Sequence, residues 1–239
     1  MTFRERPSPN RNSRPPGAAV DMLVLHYTGM PTAVEAIERL CDPAAKVSAH
    51  YVIEEDGTIW HLVDEAERAW HAGLSYWQGT TDVNAASIGV ELVNPGHEWG
   101  YRAFPQAQMA ALETLARGLL VRHPIPGDRV VGHSDVAPER KQDPGELFDW
   151  PRLARAGIGI WPSEDRPPPG DVAAAQKLLA GIGYRVPVSG ALDEQTCLVL
   201  TAFQRRFRPK RVDGALDAET GGRIAAVARA VAALRARRD

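Results

Sequence analysis

The stretch Ile158–Gly170, IGIWPSEDRPPPG, carries four prolines in thirteen residues. Proline supplies no backbone N–H and fixes φ, so such a run can neither continue a helix nor sit inside a sheet; it ends one folding unit and begins another. The chain has a different periodicity on each side. Upstream, short apolar runs such as Val20–Tyr27 and Ser87–Val93 alternate with helical stripes, among them Met109, Leu112, Leu115, Leu119 and Leu120 between Pro105 and the Pro124–Asp128 turn. Interleaving of that kind predicts an α/β domain, a central mixed β-sheet flanked by helices. Asp56-Gly57 between Ser48–Glu55 and Thr58–Val63 predicts a hairpin within it.

Downstream the pattern is wholly helical. Val172, Ala175, Leu178, Leu179 and Ile182 form one stripe, Val199 or Leu200 with Phe203 and Phe207 a second, and Ile224, Val227, Ala228, Val231 and Leu234 a third. The entries to the last two helices repeat each other: Gly190-Ala-Leu-Asp-Glu-Gln-Thr196 and Gly214-Ala-Leu-Asp-Ala-Glu-Thr220, with Asp193 and Asp217 placed to cap the helices that follow. The expected layout is a disordered lead-in (1–19), the α/β domain (20–157), a linker (158–170) and a small three-helix domain (171–239).

Charge divides along the same boundary. The chain carries −2 overall, but residues 171–239 carry +5 and the remainder −7. The basic cluster Arg205, Arg206, Arg208, Lys210 and Arg211 has no accompanying aromatic ladder, so a solvated face is expected and no nucleic-acid partner. No apolar run reaches the roughly 18 residues of a membrane span. The polar, Arg- and Pro-rich start has no apolar core of a secretory signal, which leads us to expect a cytoplasmic protein, with a periplasmic one as the alternative. Cys41 and Cys197 have no partner at metal-site spacing and read as ordinary thiols.

The densest chemistry lies in Gly132–Gly145, GHSDVAPERKQDPG, a polar loop entered directly from Val130-Val131. Its His133 and Asp143 are candidate metal ligands. His26 ends the Val20–Tyr27 run, just before a helix whose start is marked by Thr32 and Glu35; it is either structural or a third ligand. Glu91 is an acid among apolar neighbours, so it is either salt-bridged or functional. Three N/O ligands with one position open is the catalytic zinc pattern, which would acidify a water and polarise a carbonyl. Such a site needs a base and a cation besides, and Glu91 and Lys141 are the candidates.

The stretches LHYTG, SAHYVI with EDG, AWHAG, SIGVEL and GHSDVAPERKQDPG, in that order, closely resemble the type 2 N-acetylmuramoyl-L-alanine amidases of bacteria, a family related to phage lysozyme-like amidases and peptidoglycan recognition proteins. The match spans about Asp21 to Trp150. It implies one zinc ion per chain bound by His26, His133 and Asp143, a catalytic Glu91, an oxyanion-stabilising Lys141, and hydrolysis of the amide joining the lactyl group of N-acetylmuramic acid to L-alanine. Ala49 stands where the phage and recognition-protein branch has a catalytic tyrosine, and Asp143 where it has cysteine. Both departures point to the branch that uses the glutamate as base.

Residues 171–239 resemble the helical peptidoglycan-binding domain of cell-wall hydrolases, through Gln176, Tyr184, the two repeated turns, Phe203-Gln204 and Asp213-Gly214. With this resemblance, Trp70, His71 and Trp77 are expected to line the substrate groove and Asn94 and His97 to touch the peptide, ordinary packing being the alternative. His50, His61 and His123 are expected to be structural. The expected partner is peptidoglycan or an anhydro-muropeptide, met by a monomer. A binding-only protein of the recognition type would lack a ligand or the base, and this chain has the full set.

Overall fold

The computed structural model describes residues 3–164 and 166–238; expectations touching Met1, Thr2, Asp165 and Asp239 lie outside the described residues. In chain order the elements are β1 (Arg4–Glu5), β2 (Arg11–Ser13), β3 (Met22–Tyr27), α1 (Ala33–Cys41), β4 (Tyr51–Ile53), β5 (Ile59–His61), β6 (Glu67–Ala69), α2 (Val83–Ala86) and β7 (Ser87–Leu92). They continue with α3 (Gly96–Trp99), α4 (Gln106–Arg122), β8 (Val130–Gly132), α5 (His133–Val136), α6 (Trp150–Arg155), α7 (Val172–Ile182), α8 (Glu194–Phe207) and α9 (Ala218–Arg235). The main sheet runs β1-β5-β4-β7-β3-β8. Its middle is parallel (β4-β7-β3-β8), and the β4–β5 pair is the expected hairpin, turned at Gly57 with φ +89°.

Local chemistry explains the boundaries. Thr32 caps α1 by accepting from the Glu35 amide at 3.2 Å, and its hydroxyl donates to the Glu35 carboxylate at 2.9 Å. Strands β3 and β7 are buried on both faces, as central parallel strands must be, which is why they read as continuous apolar runs. One face packs on α4 through Leu23, Leu25, Val90, Leu92, Met109, Leu112 and Leu119. The other face, with Met22, Val24 and Val131, shares a core with Leu179, Ile182, Tyr184, Val199, Phe203 and Val227 of the helical domain. The three predicted helices are therefore one layer of a joint hydrophobic core.

The lead-in differs from its expectation. β1 pairs in parallel with β5, and β2 pairs antiparallel with β6. Side chains fasten the arm between them: Ser8 donates to the Leu40 carbonyl at 2.6 Å, and Asn10 to the carbonyls of Asp42 and Val47 at 2.8 Å each. Arg14 reaches four backbone carbonyls, those of Glu65, Asn84, Ala85 and Ser87. Strands of two and three residues broken by prolines show no periodicity, so composition alone reads as disorder. Among the described residues no helix is long and apolar enough to cross a membrane.

Candidate metal centre and active site

The three central strands deliver one row of side chains. His26 on β3 is in register with Glu91 on β7, and Leu25 with Gly132 on β8, so His133 follows one residue beyond the last paired position. Paired residues of parallel strands face the same side of a sheet. An acid and two imidazoles are thus aligned at the C-terminal strand ends, where open α/β sheets bind their ligands. Asp143 is brought back to the row by its own loop, its carbonyl accepting from the Ser134 amide at 2.9 Å.

The resulting cluster is tight. His26 Nδ1 lies 2.9 Å from His133 Nδ1, and each lies 3.1 Å from Asp143 Oδ2. All three residues are buried, and their potential ligand atoms fall within 4.8 Å of one another. His133 Nε2 faces the Ala72 carbonyl at 3.1 Å. A carbonyl only accepts, so the proton of neutral His133 sits on Nε2 and its Nδ1 lone pair points into the cluster. Lone pairs and a carboxylate oxygen at these separations repel unless a cation lies among them, so the donor set fits a divalent metal of the N/O-binding class.

Electrostatics separate the members. Burial lowers the His26 imidazole to about 4, assisted by His133, so it is neutral near pH 7. Glu91 goes the other way: burial first, then Asp143, push it well above its ordinary value, against the pull of Lys141. Its Oε2 is buried with no hydrogen-bond partner. Glu91, Lys141, His133 and Asp143 all line a single pocket of about 360 Å³, together with Arg39, Ser48 and Trp70.

The expected substrate residues divide. Trp70 does line the pocket, and its indole N–H is held at 2.6 Å by Asn12 Oδ1 of the N-terminal arm. His71 borders the pocket but spends its Nδ1 on His26 Nε2 at 3.0 Å. Trp77 is a correction. It is 2% exposed and lies edge-on to Tyr184 with ring centroids 4.9 Å apart, inside the core shared with the helical domain. Asn94 is another correction: it is fully buried, accepting from the Gly96 amide at 3.0 Å and donating to the Arg102 carbonyl at 2.7 Å, and so shapes the turn after β7. His97 stands outside the pocket lining, between the Tyr27 hydroxyl at 3.0 Å and Glu146 at 3.2 Å.

Asp135 and the arginine cluster prove to be connected. Arg206 donates to Asp135 Oδ2 at 2.8 Å and stacks 4.1 Å over Trp150, while the Tyr184 hydroxyl donates to Asp135 Oδ1 at 2.5 Å. Asp135 also accepts from the Gly132 amide at 2.9 Å, so the helical domain grips the base of the loop that carries His133 and Asp143. No local sequence signal marks a contact between residues 71 positions apart.

An acid, a cation and a metal-type donor set at strand ends, beside a pocket, fit a metal-assisted hydrolase of the α/β class. Residues 16–146, more than half of the chain, match the family described as N-acetylmuramoyl-L-alanine amidase, and residues 169–224 match a putative peptidoglycan binding domain. The N-acetylmuramoyl-L-alanine amidase AmiD of Escherichia coli is 39% identical over 223 residues, 84% of this chain and 79% of that protein. Its structure in complex with anhydro-N-acetylmuramic acid-L-Ala-D-gamma-Glu-L-Lys superposes with a TM-score of 0.79 at 36% identity, covering 92% of this chain and 93% of the other. AMPDH3 of Pseudomonas aeruginosa gives a TM-score of 0.80 at 34% identity, over 92% and 95% of the two chains. This chain belongs to the N-acetylmuramoyl-L-alanine amidases.

Proposed function

We propose that this amidase works with one zinc ion held by His26, His133 and Asp143, and that its substrate is an anhydro-muropeptide cut between the lactyl carbonyl and L-alanine. The observation that carries the reading is the partnerless Glu91 Oε2, a buried carboxylate oxygen facing the same pocket as the three-ligand cluster. Zinc, when bound, supplies the Lewis acidity that polarises the amide carbonyl and acidifies a water. Glu91 accepts a proton from the attacking water as its oxygen bonds to the carbonyl carbon. Its raised pKa suits a group that takes a proton in one step and returns it in the next. Lys141 places positive charge beside the developing oxyanion. As the C–N bond breaks, Glu91 passes its proton to the departing alanine nitrogen, and the products are a free lactyl carboxylate and a free peptide amine.

The substrate class is supported by the solved complexes of AmiD with anhydro-N-acetylmuramic acid-L-Ala-D-gamma-Glu-L-Lys and of AMPDH3 with anhydromuramic pentapeptide. A second reading, cleavage of intact sacculi, is favoured by the match of residues 169–224 to a wall-binding domain. Product analysis on 1,6-anhydro-MurNAc-peptide and on sacculi, side by side, tests both. We expect free peptide from the soluble substrate, with one zinc per chain and loss of activity and zinc in His26→Ala. No product from the soluble substrate overturns the substrate assignment, and full zinc occupancy in His26→Ala overturns the ligand assignment.

A further inference from the structure

We propose that His71 is a positioning residue: together with the Ala72 carbonyl it sets both metal-binding histidines to present Nδ1, in a direction dictated by the Ser87 hydroxyl. The proposal rests on the zinc reading for its consequence, though not for its geometry.

The direction follows from counting protons. Ser87 Oγ lies 2.6 Å from the Val83 carbonyl, which can only accept, so the single hydroxyl proton is committed there. The same Oγ lies 3.2 Å from His71 Nε2 and has only lone pairs left to offer it. His71 therefore carries its proton on Nε2, and its Nδ1 is bare. Bare Nδ1 stands 3.0 Å from His26 Nε2 and accepts the proton of that ring. His26 is left with an unprotonated Nδ1, the atom that faces His133 and Asp143. The Ala72 carbonyl acts on the other ligand in the same way, through His133 Nε2 at 3.1 Å.

Both controls come from adjacent residues, and that segment is pinned. Asn84 Oδ1 accepts from the amides of His71 at 3.1 Å and Ala72 at 2.7 Å. Strand β7 also leaves room for the ring: a Cβ on Gly89 would come within 2.4 Å of His71 Cγ. The AWHAG and SIGVEL stretches thus meet around one imidazole, two residues along β7 from Glu91. Buried partners of this kind fix the tautomer and orientation of a metal-binding histidine.

Two measurements test this. Long-range ¹H–¹⁵N correlation on the metal-free protein reads the histidine tautomers directly. We expect His26 and His133 protonated at Nε2 in the wild type, and the His71 and His26 tautomers to become mixed in Ser87→Ala, which keeps the ring packing. Zinc competition with a chelator should show affinity about 10–100-fold weaker in His71→Ala, with recovery to within about threefold in His71→Asn, whose Oδ1 replaces the Nδ1 acceptor. A bare Nε2 on His26, unchanged tautomers in Ser87→Ala, unchanged affinity in His71→Ala, or equal loss in the alanine and asparagine variants would overturn the proposal. A wild type that binds no zinc sinks the zinc reading, and the tautomer spectrum still judges His71.

Discussion

The two domains both bury polar side chains, and they treat them in opposite ways. In the helical domain Gln204 is fully engaged. Its amide nitrogen donates to Asp213, the Ala215 carbonyl and Thr220 at 2.9–3.1 Å, and its oxygen accepts from the amides of Asp213 and Gly214 at 2.8 and 2.7 Å. Gln176 does the same for the preceding turn, reaching Ser189, Ala191 and Thr196 and accepting from Gly190. The repeated Gly-Ala-Leu-Asp turns are thus a repeat of hydrogen bonds as well as of letters. In the α/β domain Glu91 Oε2 is buried alone, and three acceptors crowd together at His26, His133 and Asp143. Gln108 Oε1 and Arg206 Nε are also without partners, but both residues spend their other polar atoms on neighbours. A satisfied buried amide specifies structure. A buried acid left unsatisfied beside a pocket holds a capacity for reaction, because its missing partner is supplied by the substrate, the water or the metal.

The sharpest way to break this contrast is at Glu91. Glu91→Gln should lower turnover by about 10²–10⁴-fold, the usual size of a lost general acid–base group. The metal-free variant should be as stable as the wild type or more so, since an amide removes a carboxylate that burial disfavours. Urea unfolding and muropeptide turnover measured together decide it: a strongly destabilised variant with near-normal turnover makes Glu91 scaffold. Next in size is the seam between the domains. Arg206→Ala leaves Asp135 buried without its cation, which typically costs about 3–5 kcal/mol. The loss should appear in the α/β domain too, because Asp135 holds the Gly132 amide beside His133. An unfolding curve within 1 kcal/mol of wild type would show that the seam carries little of the joint stability.

How much of this was readable in advance depended on whether a residue broke its local pattern. His26, Glu91 and His133 are polar groups closing or interrupting apolar runs, so each is legible as a candidate; their convergence is implied in sequence only by the family resemblance, and the register of β3, β7 and β8 supplies its physical reason. Trp77 and Asn94 were misplaced because residue type does not say which way a loop residue faces. Trp77 is covered by Tyr184, a residue from the other domain, and Asn94 is consumed by its own turn. The ordered arm was missed because its hold lies in side-chain bonds to distant carbonyls, such as Arg14 to Ser87 at 2.9 Å. His71 lines the pocket, but its contacts with His26 and Ser87 are not legible in sequence, since only the sheet brings Ser87, Gly89 and His26 around it.

Within the helical domain the contrast predicts a purely structural penalty. Gln204→Ala strands the amides of Asp213 and Gly214 and should cost about 1–3 kcal/mol, with turnover on a small soluble muropeptide unchanged. A change in turnover on that substrate larger than the loss of folded protein would tie the glutamine network to catalysis and blur the distinction between the domains.

The smallest expected effect concerns acid. The buried groups of the helical domain that mirror one another are amides, which do not titrate; those of the α/β domain include histidines. His50 is buried, with Nδ1 accepting from the Gly89 amide at 2.9 Å. Burial, then Arg14, lowers it to about 3. Unfolded, it would titrate near 6.5, so between these values the unfolded chain binds one more proton and stability falls as pH falls. Its contribution is complete above the unfolded pKa and is lost progressively down to about 3. Glu65, lowered to about 2 by Arg122, Tyr51 and His123 despite its burial, adds its own loss only below the ordinary glutamate range. The interval from pH 6 to pH 5 lies above the loss from Glu65, but His26 and His71, lowered by burial, and Glu91, raised by it, also contribute there, so the difference between wild type and a His50 variant is what isolates this histidine. His50→Asn, which keeps an acceptor for Gly89, should have a shallower pH dependence there by an amount approaching about 1.4 kcal/mol per pH unit. Parallel wild-type and variant curves across that interval would mean that His50 is not held neutral by the fold, and that the acid sensitivity of this domain has another source.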